Sequence, residues 1–193
     1  MLTLRRNQVK RAWISSVNRL NMKKETKKKI ILTTFTVSGV GAFVWFVLKH
    51  MEKKLEDYKS KYFTYADMMR SSTAERLGIR NYTDDKATLL NMKALFRDVL
   101  DPLCDKLGKR VTITSGFRTK ELNQAISGSS ATSQHMKGEA ADIDMGSNEA
   151  NKIVYDTIKK LGNYDQLINE SDLEWVHVSW KRLGMNRHQE LKL

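Results

Sequence analysis

Residues 30–48 (IILTTFTVSGVGAFVWFVL) form a run of 19 residues without a single charge, and such a run divides any chain that contains it. About 20 apolar residues rising roughly 1.5 Å each match a hydrocarbon core of about 30 Å. Thr33, Thr34, Thr36 and Ser38 moderate the hydrophobicity, as do Gly39 and Gly41. A buried helix inside a soluble domain is the other reading. Five lysines within the seven residues before the run, and Lys49 directly after it, favour a membrane span.

The charge distribution supplies the orientation. Residues 1–29 carry ten Lys/Arg against the single acid Glu25, residues 49–61 five basic against three acidic, and the rest 19 against 18. The net charge of +12 therefore belongs mostly to the N-terminal tail. A nearly neutral remainder argues against a phosphate-gripping face, and no nucleic-acid partner is expected. The positive-inside rule places residues 1–29 in the cytoplasm and everything after residue 48 outside. A cleaved signal peptide is disfavoured by the 29-residue lead and by Lys49-His50-Met51, which offers no small-residue cleavage site. The sequence thus predicts a basic cytoplasmic tail (1–29), a transmembrane helix (30–48), a charged stalk (49–62), a folded domain (63–182) and a loose polar tail (183–193). The location expected is the inner membrane, single-pass, with the domain periplasmic or otherwise extracytoplasmic. Cys104 is the only cysteine, so no intramolecular disulfide forms, and it reads as a small core residue.

The folded part alternates helix and strand signals. Thr64 to Asp67 resembles a capping box, and a second short helix begins near Ser72 and stops at Gly78. Residues 84–107 repeat apolar positions at three and four: Leu89, Met92, Leu95, Phe96, Val99, Leu100, Leu103 and Leu107. Pro102, the only proline, should kink or divide that helix. Strands are expected at 111–114, 139–145, 164–168 and 175–180, and helices at 119–126 and 147–161. Asn169-Glu-Ser-Asp172 reads as the turn joining the last two strands. This is an α+β domain with a small antiparallel sheet and flanking helices.

Two settings carry chemistry. Ser133-Gln-His135-Met-Lys-Gly138-Glu-Ala140-Ala-Asp142 puts a His and an Asp on a tight turn and the strand that follows it. Glu174-Trp-Val-His177 lies on the last strand. A hydrolytic zinc site needs three N/O donors and an open position, which His135, Asp142 and His177 supply. Glu174 remains as a carboxylate to take a water's proton. Two residues three apart on a flat strand face opposite sides, so Glu174 must occupy the entering turn or a bulge. Spacing alone leaves a second reading open, in which His135 is a hydrogen-bonding structural residue and Asp142 and Asp144 line an exposed strand.

The literal string SxHxxGxAxD, followed by ExxH, resembles the zinc D-alanyl-D-alanine carboxypeptidase family, whose relatives include D,D-dipeptidases and phage L-alanyl-D-glutamate endolysins. Further agreement comes from Phe63-Thr-Tyr, Thr73-Ala-Glu-Arg-Leu-Gly78-Ile-Arg-Asn81, Thr114-Ser-Gly-Phe-Arg118, Leu122-Asn123, Asp165-Gln-Leu-Ile168 and Trp175-Val-His-Val-Ser179. Residues 81–85 lack a proline often found there, and the membrane run lies outside the resemblance. The resemblance implies Zn2+ held by His135, Asp142 and His177, Glu174 as general base, and Arg118 holding the substrate carbonyl. It also implies peptidoglycan peptides as the substrate; the cytoplasmic membrane is expected as a partner through residues 30–48 from the uncharged run and its flanking charges alone. D-Ala-D-Ala carboxypeptidase action is the expected reaction, with L-Ala-D-Glu endopeptidase (endolysin) action as the alternative. A catalytically silent wall-binding or virion protein is the rival from another class.

Overall fold

The computed structural model describes Ser15 and residues 58–193. Apart from Ser15, the expected tail, span and most of the stalk (1–29, 30–48 and 49–57) lie outside the described residues. Among the described residues no helix is long and apolar enough to cross a membrane.

Two short helices open the domain. Helix α1 (Tyr65–Met69) starts at a complete capping box, with the Thr64 side chain accepting from Asp67 N and the Asp67 carboxylate accepting from Thr64 N. Helix α2 (Ser72–Leu77) is capped by Ser71 and closed by Gly78 in the left-handed conformation. The long apolar stretch then forms α3 (Lys86–Leu95), one π-helical segment (Phe96–Leu100) and α4 (Asp101–Leu107). Pro102 accounts for the division. It has no N–H to give the carbonyl of Asp98, and that carbonyl accepts instead from Asn163 Nδ2 at 3.0 Å. The Asp101 N–H reaches back to Phe96 O, the wider spacing of a π-turn.

Five strands follow: β1 (Ile113–Ser115), β2 (Ala140–Ile143), β3 (Gln166–Glu170), β4 (Trp175–Ser179) and β5 (Gln189–Lys192). Helix α5 (Lys120–Ala125) and a 3-10 turn (Gln134–Lys137) lie between β1 and β2, and α6 (Asn148–Leu161) lies between β2 and β3. The sheet order is β1-β2-β4-β3-β5. The α+β class holds, but the sheet is mixed rather than antiparallel, because β5 runs parallel to β3.

That fifth strand corrects the expectation of a loose tail at 183–193. Buried Asp165 accepts from Arg187 N at 2.9 Å and Arg187 Nε at 3.0 Å, and pairs with Lys181 Nζ at 2.9 Å. Gln189 N donates to Asp165 O, after which the ladder from Gln166↔Gln189 to Asn169↔Lys192 holds the end of the chain. The turn between β3 and β4 also lies later than expected, at 171–174, with Ser171, Asp172 and Leu173 all at positive φ.

Strand alternation gives the sheet two unlike faces. Ala141, Ile143, Leu167, Val176 and Val178 join Phe63, Leu95, Phe96, Leu100 and Leu103 in the core, with α6 packed on β3 and β4 and against α4. Full burial of each large apolar side chain contributes about 1.5–3 kcal/mol. The opposite face carries the polar residues Asp142 and His177.

Candidate metal centre

Three pieces of backbone bring the donors together. Asp142 and His177 are direct partners across β2 and β4, so both project from the same face. His135 comes from the 3-10 turn, where Ser133 Oγ accepts from His135 N. Gly138 closes that turn at φ 68°, and a Cβ there would lie 2.9 Å from both Thr88 O and Met92 Cγ. Only glycine lets the turn press this closely on α3.

The donor atoms form a small triangle. His135 Nε2 lies 3.2 Å from His177 Nδ1 and 3.2 Å from Asp142 Oδ1, and His177 Nδ1 lies 2.8 Å from the same Oδ1. Ligands about 2.0–2.1 Å from a tetrahedral zinc are about 3.3 Å apart, so the triangle is nearly that of three zinc ligands. The expected set His135, Asp142 and His177 therefore converges, and all three are buried.

The ring orientation of His135 is fixed from outside the triangle. The Gly116 carbonyl can only accept, so His135 Nδ1 donates to it at 2.6 Å and leaves the Nε2 lone pair facing the other donors. Gly116 is itself required by close approach, since a Cβ there would stand 2.6 Å from Met68 O. Burial lowers the His135 pKa below its ordinary value; the charge and hydrogen bond of Asp142 oppose the fall, and the charges of His177 and Arg118 add to it. Burial pushes the Asp142 carboxyl up, but the charges and hydrogen bonds of the two histidines outweigh it and hold the group far below the usual carboxylate range. A neutral imidazole and an ionised carboxylate are the forms a metal ion binds.

Arg118 lies beside the triangle. Its Nη2 donates to Asp142 Oδ2 at 2.7 Å and its Nε to Ser115 Oγ at 3.0 Å. Asn81 braces this loop, donating from Nδ2 to Met69 O and Phe117 O and accepting at Oδ1 from Thr119 N. Glu174 occupies the turn entering β4, as the strand geometry demanded, with its side chain exposed. Asp144 is engaged elsewhere, accepting from Gly146 N and Asn151 Nδ2, and Trp180 Nε1 donates to Asp98.

The sequence reading missed Glu170. This half-buried residue ends β3, and its carboxyl interacts with the charges of His177, Asp142 and Arg118. Burial raises its pKa, Asp142 adds to the rise, and His177 and Arg118 oppose it. Its placement in the expected turn at 169–172 concealed it.

Comparison with known proteins agrees with the donor geometry. The family model for peptidase M15 matches residues 61–179, which contain all three donors and Arg118. A search among characterised proteins gives no match. M15 peptidases are zinc-dependent, and the donor triangle is of the kind such an ion requires. A match over more than half the chain shows that this protein belongs to the peptidase M15 family.

Proposed function

We propose that the protein is a membrane-anchored zinc peptidase that hydrolyses peptidoglycan stem peptides, acting as a D-Ala-D-Ala carboxypeptidase. The convergence of His135, Asp142 and His177 within the matched region carries this reading. Anchoring through residues 30–48, with the basic tail inside, would put the domain on the side of the membrane where peptidoglycan lies.

His135 Nε2, Asp142 Oδ1 and His177 Nδ1 would hold the zinc, which when bound supplies Lewis-acid activation for hydrolysis. The rest falls to the chain. Gly116 O keeps His135 turned inward, and Arg118 with Ser115 keeps Asp142 aligned. The Arg118 guanidinium, its side chain 14% exposed, is the cation beside the donors that can face negative charge developing on a substrate carbonyl oxygen. A carboxylate must take a proton from the attacking water and deliver it to the leaving amine. Glu174, in the turn that enters the donor strand β4, is the carboxylate expected for that task.

Digestion of purified peptidoglycan by the full-length chain, with mass spectrometry of the products, tests the reading. Loss of a terminal D-alanine that stops with a chelator and returns with zinc is expected. Cleavage between L-Ala and D-Glu would keep the peptidase and change the bond. Unaltered peptidoglycan with zinc-loaded protein would overturn the reading. Externally added protease on spheroplasts should reach residues 63–193; cleavage of the N-terminal tail instead would refute the anchoring.

A further inference from the structure

We propose that Asn151, near the start of α6, is the positioning residue for Glu174, aided by Asn148: their amides hold the turn that presents the Glu174 carboxylate. The inference rests on the peptidase reading, in which Glu174 takes the proton of the attacking water.

Regular strand geometry would turn Glu174 the wrong way. Residues two apart on a strand share a face, and Val176 lies in the core. Glu174 is exposed instead, because the chain before Trp175 is a turn rather than a strand. Ser171, Asp172 and Leu173 lead into it with φ of 48°, 56° and 70°. Each of these side chains disfavours the left-handed region, where Cβ crowds the backbone carbonyl. Three such residues in a row persist only where the surroundings over-determine them.

The surroundings that do so belong to α6. Asn151 is fully buried. Its Oδ1 accepts from Met145 N at 2.7 Å. Its Nδ2 donates to Glu174 O at 2.8 Å, and to Leu173 O and Asp144 Oδ1 at 3.0 Å each. A backbone N–H can only donate and a carbonyl can only accept, so the amide has one orientation. Asn148 Nδ2 donates to Asp172 O at 2.8 Å. The carbonyls of all three residues from Asp172 to Glu174 thus face asparagine amides of one helix.

The same side chain ties the turn to the metal centre. Asp144 and Met145 follow directly on β2, two and three residues after Asp142. Asn151 therefore fixes the turn that enters the strand of His177 against the end of the strand that carries Asp142. Helix α6 packs on β3 and β4, which keeps the amide itself in place. Without these donors the left-handed run is free to relax, and Glu174 moves with it. A displacement of about 1 Å at a reacting group costs about 10²-fold in rate.

The test uses full-length N151A and N148A, each made with and without E174Q. N151A should lose about 10–100-fold in kcat on peptidoglycan peptides, with KM little changed and one zinc still bound per chain. N148A, at an exposed position, should lose about three- to tenfold, the scale of one hydrogen bond. In the E174Q background neither substitution should lower the residual turnover further, because a residue that acts through Glu174 has nothing left to act on. Equal losses with and without Glu174, or full turnover in N151A, overturn the proposal. Amide hydrogen exchange in the metal-free protein gives a readout independent of turnover. The N–H groups of Leu173 and Glu174 should exchange faster in N151A, while those of Val176 and Val178 stay protected. Unchanged exchange at 173 and 174 overturns the proposal as well. If N151A does not fold, N148A decides by the same two measurements. If zinc-loaded parent protein leaves peptidoglycan intact, the peptidase reading fails, and exchange alone decides whether the two asparagines hold the turn.

Discussion

The two faces of one sheet, separated by the thickness of a strand, are specified in different ways. On the core face Val176 and Val178 meet Ile143 and Leu167 within a cluster to which α3, α4 and α6 also contribute. Apolar burial is non-directional there, and many residues share it. On the donor face His177, flanked in sequence by those same valines, meets Asp142 and His135 through distances of 2.8–3.2 Å. Two of the donors are held by separate partners: His135 by Gly116, and Asp142 by Arg118, which is itself held by Ser115 and by the Asn81-braced loop. The core face should tolerate losses in proportion to volume, and the donor face should fail by position.

The largest contrast should come from a donor. H177A removes one of three ligands and is expected to weaken zinc binding by more than the roughly 10–100-fold typical of losing an outer partner. Hydrolysis should vanish while the thermal midpoint without metal stays near the parent value. Isothermal titration with zinc and a melting curve separate the two effects. L103A, at a fully buried core position, should do the reverse. It is expected to cost about 2–5 kcal/mol in denaturant unfolding, with zinc affinity of the folded protein unchanged. Weakened zinc binding in folded L103A would blur the distinction.

How far this division was legible in the sequence follows from the same contrast. The donors were readable because each sits in a local signal: Gly138 for the turn, alternating strands for Asp142 and His177. The capping residue Thr64 was readable for the same local reason, and the helix starts expected at 119 and 147 fall on the caps Thr119 and Ser147. Glu170 was not, because Asn, Ser and Asp at 169–172 resemble a turn. The actual turn relies on positive φ at Ser171, Asp172 and Leu173, and leucine gives no such signal. Strand β5, with sequence QELK, has no apolar alternation. Its pairing depends on Asp165 more than twenty residues earlier, a long-range contact that no local pattern encodes. The π-turn before Pro102 likewise depends on Asn163, a distant donor.

The Asp165 cluster permits a smaller test. D165N should cost about 1.5–3 kcal/mol at neutral pH, the range for hydrogen bonds to a charged group. Burial raises the Asp165 pKa, but hydrogen bonds from Arg187 and Lys181 outweigh it and depress the value. A depressed folded pKa contributes stability that is present above the unfolded value of about 4 and is lost as pH falls through the folded one. The gap between parent and D165N should therefore close below about pH 4 in acid unfolding curves. A gap that widened there would refute the pairing.

The smallest effect separates holding from binding. S115A removes the Oγ that accepts from Arg118 Nε. It should lower zinc affinity or turnover by about tenfold, the lower end for an outer hydrogen-bond partner. No change in either would release Arg118 from its dependence on Ser115.

One sheet face and one turn bring together the three donors of a zinc centre. Anomalous diffraction at the zinc edge, from crystals of the full-length chain grown with zinc, tests it most directly. One strong peak is expected about 2.0–2.2 Å from His135 Nε2, Asp142 Oδ1 and His177 Nδ1. A peak elsewhere, or His177 turned away from the other two donors with no peak between them, would contradict it.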